Sequence, residues 1–363
     1  MSDGVRQFPC DQCGANVEFA PGRDSLLCPY CGTETHIPNS GEGFEEQDFE
    51  SFSIDAMADS AATEEVTSVQ CSSCAALVEP SPTHEAFACP YCGSAIVSTE
   101  RSQRLLKPQA VLPFAIDRAE ATDKFKAWIN KLWFAPDALK KLAELEGRLK
   151  GLYAPYWTYD ADTQSQYSGM RGDNYMVTRT RTVNRDGKMV TETYQETKIR
   201  WRPASGRVAR IFDDVLVVGS ESLPRELAEE LEPWDLKNLR SYADEYLSGF
   251  TAERYQIDVK RGWQRATERM DVVIRQDVRR DIGGDHQKIS SLHTRHDRVT
   301  FKHILLPMWI CSYRYQEKIY RFLVNARTGE IQGERPWSWV KITLTALAVA
   351  AVIFVLVMVF RER

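Results

Sequence analysis

Eight of the nine cysteines fall into two blocks of identical spacing, Cys10-x2-Cys13-x14-Cys28-x2-Cys31 and Cys71-x2-Cys74-x14-Cys89-x2-Cys92, offset by 61 residues. A Cys-x2-Cys pair sets two thiolates on one tight turn. A short hairpin between two such turns closes a four-thiolate tetrahedron, in which a Zn–S bond is about 2.3 Å. Each second turn reads Cys-Pro-Tyr-Cys-Gly, at residues 28–32 and 89–93; the proline stiffens the turn and the glycine supplies a positive φ. Blocks this small bury little apolar surface, so a metal would contribute most of their folding free energy. The spacing predicts two zinc ribbons, residues 1–38 and 69–100, with Cys10, Cys13, Cys28 and Cys31 on one Zn²⁺ and Cys71, Cys74, Cys89 and Cys92 on a second. Redox dithiols or disulfides would want a βαβ setting that the sequence lacks, whereas rubredoxin-like iron would use the same four thiolates. His36 and His84 lie near the blocks but are surplus to four thiolates, and read as loop residues.

The other strong constraint is at the opposite end. Residues 342–360 form an uncharged run of 19, and a helix of that length covers roughly 28 Å, close to a bilayer's hydrocarbon core. Lys341 precedes it, Arg361, Glu362 and Arg363 follow it, and Trp337 and Trp339 sit where an interfacial aromatic belt belongs. A transmembrane helix over 340–360 is expected, with the protein tail-anchored. The opening MSDGVRQFPC carries no apolar signal peptide, and metal thiolates suit a reducing compartment. Arg321, Arg327, Arg335 and Lys341 before the run, against two arginines after it, point the same way. The body is expected in the cytoplasm, on a single-pass anchor in the cell membrane.

Charge is unevenly distributed. Residues 1–100 hold Arg6 and Arg23 against 17 acidic side chains, a balance of −15, so the remainder carries +10 within a chain of net −5. A region of that sign repels a phosphate backbone, which is bound chiefly through lysine and arginine. Nucleic acid is therefore a disfavoured partner, and a nucleic-acid-binding ribbon protein without helicase activity is the alternative reading. Residues 39–68 contain no lysine or arginine and read as an acidic, disordered linker, with Phe44, Phe49, Phe52, Ile54 and Met57 among the acids.

Residues 105–336 have the composition of an α+β domain with antiparallel strands. Ala121, Phe125, Trp128, Ile129 and Leu132 fall at helical spacing, and Leu139, Leu142, Leu145 and Leu149 suggest a second helix. A strand is expected over 152–159, then a Thr-rich hairpin of strands 175–184 and 189–201 turning at Asp186-Gly187, and another strand over 208–218. Helical stripes follow over 236–247 and 259–278, and His293 and His296 read as part of a polar loop. Strands return around Pro307-Met308-Trp309 and over 320–324, with Cys311 expected to be an inert core residue.

The two ribbons, Leu112-Pro113-Phe114, Ala154-Pro155-Tyr156-Trp157, the block from Pro233-Trp234-Asp235-Leu236 to Gly249-Phe250, Leu305-Leu306-Pro307-Met308-Trp309, the 325–329 turn and the C-terminal run resemble the bacterial membrane-anchored zinc-ribbon proteins. These are often labelled "TFIIB-type zinc ribbon-containing" or "primosomal protein N′-like". The resemblance covers nearly the whole chain and implies a non-enzymatic scaffold or recruitment role in envelope maintenance, with SPFH (flotillin-like) or PspA-type membrane proteins as partners. It supplies no catalytic residue. Two complete ribbons joined by so acidic a link depart from the family pattern and suggest a different partner. The helicase label meets no P-loop: the Gly-Lys pair Gly187-Lys188 is followed by Met189 and has Thr182 where the first glycine belongs. No G-x-S-x-G elbow or H-E-x-x-H helix is present, and Asp213-Asp214, beside a strand, is expected to lack the further carboxylates or histidines that a catalytic metal would want.

Overall fold

The computed structural model describes residues 8–38, 45–52, 63–73, 76–78, 87–96, 100–134, 136, 149–185, 188–315, 318–335 and 337–361. Its frame is a mixed, mainly antiparallel sheet built on three very long strands, Lys150–Arg185, Lys188–Val218 and His286–Tyr315. The first strand lies in the middle. It pairs with the second from Tyr156↔Val218 to Arg185↔Lys188, and with the third from Lys150↔Ile310 to Gly172↔His286. A fourth strand, Lys318–Asn325, pairs with the far end of the third and carries Ile331–Gly333 on its other edge.

The first two strands pair up to Arg185↔Lys188, on either side of the expected Asp186-Gly187 turn, which lies outside the described residues, and the separate strands expected around it are continuous. Threonine, valine, tyrosine and arginine there sustain extended backbone without a proline or glycine interruption between residues 173 and 185. Residues 286–298, read as a polar loop containing His293 and His296, also belong to a long strand. Solvent on both faces removes the apolar alternation by which a strand is recognised.

Side chains alternate between the two faces of the sheet. One face carries Leu152, Ala154, Tyr156, Met308 and Ile310, and the second cysteine block packs there. The other carries Tyr153, Leu305 and Trp309, against which the first block packs. Further along this second face, Trp157, Tyr159 and Tyr167 meet the amphipathic helix Val259–Ile282. Asp258 caps that helix by accepting from the Arg261 amide at 2.8 Å, and Gly283, at φ +66°, ends it. Its buried stripe, Val259, Gly262, Ala266, Met270, Ile274, Val278 and Ile282, advances in steps of three or four. Gly262 is required there: a Cβ would stand 2.2 Å from the Tyr159 hydroxyl, which donates to the Val259 carbonyl at 2.7 Å.

The helix expected from Ala121 to Leu132 forms as Arg118–Lys131, capped by Asp117, with Phe125 and Ile129 buried against Phe322. The helix suggested from Leu139 falls on residues 137–148, outside the described residues, and Leu149 is buried where the first long strand begins. Residues 236–247 are not one helix. Two 3-10 turns, Leu236–Asn238 and Asp244–Leu247, flank a short strand, Arg240–Ser241, that pairs with Ala110–Val111. That strand's hydrogen bonds to the sheet replace those of a helix interior, while Leu239 and Tyr246 still reach the core.

The acidic segment is not a free tether over its described parts. Gln47–Asp48 pairs with Thr300 and Phe301, the Phe49 amide donates to the Val299 carbonyl at 3.0 Å, and Phe49 and Phe52 set their rings against Phe301. Thr63–Gln70 pairs with Glu100–Leu106 to make a strap across the base of the second block. Its residue Glu64 lies 2.7 Å from Arg254, and both side chains are largely buried.

Beside this docked segment Glu46, Asp160 and Asp214 surround Lys302, whose Nζ is 2.9 Å from Glu46 and 2.7 Å from Asp214. Burial, reinforced by the Glu46 carboxylate, pushes Asp160 up to about 7. A carboxyl raised in this way favours the folded arrangement while protonated and loses that contribution as the pH climbs through about 7. Burial also opposes ionisation of Glu46, but Thr300 and Lys302 outweigh it and hold that carboxyl below its usual range. Its contribution therefore persists until more acidic pH. Exchange of the Phe49 amide should be slower at pH 6 than at pH 8 once the intrinsic rate is divided out; an unchanged or reversed protection factor would refute the linkage.

Candidate metal centres

In the first block the strands Glu18–Phe19, Ser25–Leu27 and Glu34–His36 form a small sheet that brings the two cysteine turns together. Gly14 and Gly32, both at φ +73°, close those turns. Cys10 Sγ lies 3.5 Å from Cys31 Sγ and Cys13 Sγ lies 3.5 Å from Cys28 Sγ, all four sulfurs being within 4.8 Å of one another. A tetrahedral centre with metal–sulfur bonds of about 2.3 Å has sulfur–sulfur edges of roughly 3.8 Å, whereas a disulfide would be about 2.05 Å. The cluster fits a four-thiolate metal and no disulfide.

Its electrostatics agree. Backbone amides of Cys13 and Gln12 hold the Cys10 thiol below its usual value, and the Thr33 hydroxyl, 3.1 Å away, with the Thr33 amide brings Cys31 down to about 6. At Cys13 the Ala15 amide favours the thiolate, but the neighbouring Cys28 and Cys31 sulfurs push the thiol up to about 12. With Cys10 and Cys31 lowered and Cys13 raised, all four sulfurs would be thiolates together only with a cation among them.

The second block brings together Cys71, Cys89 and Cys92, with Cys71 Sγ 3.5 Å from Cys92 Sγ and all three within 4.8 Å. Cys74 lies outside the described residues. The three that are described repeat the geometry of the first cluster, with Gly93 at φ +72° in the place of Gly32. Lys150, about half-buried at the start of the first long strand, feels the charge of Cys89 and Cys92, although burial holds its own pKa below the usual value. It is a cation that the cysteine pattern alone does not reveal.

The two Cys-Pro-Tyr-Cys-Gly turns have different surroundings. Tyr91 is fully buried, and its hydroxyl makes a short hydrogen bond to Glu253, a buried carboxylate that also accepts from Ser220 Oγ at 2.9 Å and Gln256 Nε2 at 3.0 Å. Tyr30 is 83% exposed, beside exposed Cys13 and Cys31. The second turn is thus wedged into the body, while the first faces solvent. Over 335 residues, 92% of this chain, the sequence is 25% identical to a Bacillus subtilis (strain 168) protein named "Uncharacterized protein YdjG", covering 91% of that protein. No protein family and no solved structure matches the chain.

His36 is exposed on a strand of the first block, and His84 lies outside the described residues. His296 packs against Trp263 at 5.4 Å, where burial lowers its pKa. Cys311 is buried, 6% exposed, as expected of a core residue. Asp213-Asp214 does acquire a third carboxylate, Asp160, across the first ladder, which the sequence reading missed. Lys302 fills that group with a cation of the chain itself. A cleft of about 540 Å³ lined by Glu64, Lys107, Asp244 and Glu245 among others contains no histidine or cysteine.

The terminal helix, Trp339–Arg361, is long and apolar enough to cross a bilayer, and none of its residues is buried against the body. Its two threonine hydroxyls bond within the helix, Thr343 to the Trp339 carbonyl and Thr345 to the Lys341 carbonyl, each at 2.8 Å.

Proposed function

We propose that this chain is a non-enzymatic adaptor, anchored in the cell membrane by residues 339–361, that holds two Zn²⁺ ions and presents its first cysteine block to a protein partner on the cytoplasmic side. Cys10, Cys13, Cys28 and Cys31 would hold one ion, and Cys71, Cys74, Cys89 and Cys92 the other. Zinc fits best because a four-thiolate set in a reducing compartment favours a tetrahedral ion that needs no redox partner. The observation that carries the adaptor reading is the contrast between the two turns. The second block is already committed to the body through Tyr91, whereas the first leaves an aromatic side chain and the outer face of a rigid turn exposed, features of a docking surface. Membrane proteins of the SPFH or PspA type are the partner class that the family resemblance implies.

Membrane attachment is supported by the unburied apolar helix, by hydroxyls satisfied within it as lipid requires, and by Arg335 stacked 4.6 Å over Trp337 just before it. A chain ended after residue 335 should move from the membrane fraction to the soluble fraction in full; retention in the membrane would show that the helix is not the anchor. A photo-reactive side chain at position 30 of the intact protein should give discrete crosslinked bands in membranes, and these should disappear on chelation. Identical bands from a probe at position 182, on the long hairpin, would move docking away from the first block.

A further inference from the structure

Beyond Gly172, where the third strand begins at His286, the first two strands continue alone from Asp173↔Arg200 to Arg185↔Lys188. This arm of 13 residues in each strand is about 40 Å long at roughly 3.3 Å per residue. Its register sorts the side chains. One face is uncharged, with Thr180↔Thr193 and Thr182↔Thr191 along it, and the other carries the pairs Arg179–Glu196 and Arg181–Glu192.

The outer edge of the second strand pairs with nothing among the described residues. Natural edge strands are usually blunted by proline, by a bulge or by shortness. From residue 188 to 202 the ladder is regular and proline-free, and Pro203 closes the stretch. Charge along this edge is polarised, with Glu192, Tyr194 and Glu196 followed on the same face by Lys198, Arg200 and Arg202. Laid antiparallel on its own copy about Thr197, the edge sets Glu196 opposite Lys198, Tyr194 opposite Arg200 and Glu192 opposite Arg202, each twice. Shifting the centre one residue either way puts Glu196 against Glu196 or Lys198 against Lys198. Pro203, which has no amide hydrogen, ends the pairing at residue 202 and, by symmetry, at 192.

We propose that two copies of this chain pair along residues 192–202, joining their arms into a four-stranded ribbon around a two-fold axis at Thr197. The opposite edge of the arm cannot do the same. Asp285 caps its root by accepting from the Asn174 amide at 2.7 Å, and beyond that point its charges are Arg179, Arg181 and Arg185. One adhesive edge per arm gives a closed dimer and no filament. The axis is normal to the sheet, so the two arms run antiparallel and the two bodies lie at opposite ends of the ribbon. The pairing needs neither the metal nor the adaptor role.

The test uses the full chain in detergent micelles. Thr197→Cys should form a disulfide-linked dimer under mild oxidant, because residues directly opposed in an antiparallel pair have Cα atoms about 4.5–5.5 Å apart, within disulfide range. Thr182→Cys, on the same face but on the other strand, should not. Lys198→Glu should weaken association about tenfold by setting four carboxylates together, as should Glu196→Lys, and mixing these two variants should restore a heterodimer. A wild-type chain that stays monomeric at micelle-saturating concentration overturns the proposal. So does equal crosslinking at 197 and 182, or a mixture that remains monomeric.

Discussion

Cys89→Ser should remove one of two bound metals and lower the thermal midpoint of the whole body, on the order of 10 °C. Cys89 is fully buried, and its block contributes Val69, Ala76, Val78, Tyr91 and Ile96 to the same core as Leu152, Tyr156, Met308 and Ile310. Free energies of structural zinc binding run to about 10 kcal/mol or more. If even about 3–5 kcal/mol of that holds the block on the sheet, about 2–4 °C per kcal/mol gives the shift stated. Cys28→Ser should behave likewise. Val17, Phe19, Leu26 and Ile37 of the first block share a core with Phe114, Tyr153 and Trp309, and Ser248 Oγ donates to the Val17 carbonyl at 2.6 Å. The expectation of two ribbons tethered apart from an independent domain therefore gives way to two blocks seated on opposite faces of one sheet. The sheet lies between the centres, so each substitution should spare the other metal. Elemental analysis and a thermal melt read both effects; loss of both metals from one substitution, or a melt that does not move, would contradict this arrangement.

Tyr91→Ala should cost about 3–5 kcal/mol, the range for emptying a large buried aromatic site, and should loosen metal in the second block. The substitution opens a cavity beneath the turn and takes from the Glu253 carboxylate its shortest hydrogen bond. Tyr91→Phe keeps the ring and isolates that bond, so about 1–3 kcal/mol is expected. The same alanine change at Tyr30 should stay within about 0.5 kcal/mol, because the side chain is 83% exposed. Denaturant midpoints for the three variants are sufficient. Equal costs at positions 30 and 91 would mean that the two turns are not used differently.

These expectations mark the limits of what the sequence could express. The cysteine spacing, the terminal apolar run, the Asp186-Gly187 reversal and the stripe from Val259 carry their physics locally, in ligand geometry, length, turn type and period. Tyr30 and Tyr91 sit in identical five-residue turns, so no local rule could tell the exposed one from the buried one; the difference lies in Glu253, 162 residues downstream. The acidic segment suggested disorder because its charges dominate its composition, yet Phe49 and Phe52 dock on a phenylalanine some 250 residues away. The long strands were legible only in pieces, since a ribbon wetted on both faces has no apolar alternation to read.

The long ladders have a mechanical consequence. The terminal helix joins the body through Ile331–Gly333 and the fourth strand, at the end of the third strand opposite His286, whereas the arm tip at Arg185 and Lys188 lies beyond the other end. Tension between the helix and the arm runs parallel to the strands. It loads the bonds between the first and third strands, from Lys150↔Ile310 to Gly172↔His286, in shear and many at a time. Pulled this way the sheet should yield only at high force, whereas tension that separates Lys188–Val218 from the first strand beginning at Val218 would open the ladder one pair after another. The protein is stiff along one axis and weak across it, and the stiff axis is the one that links its apolar end to its free arm.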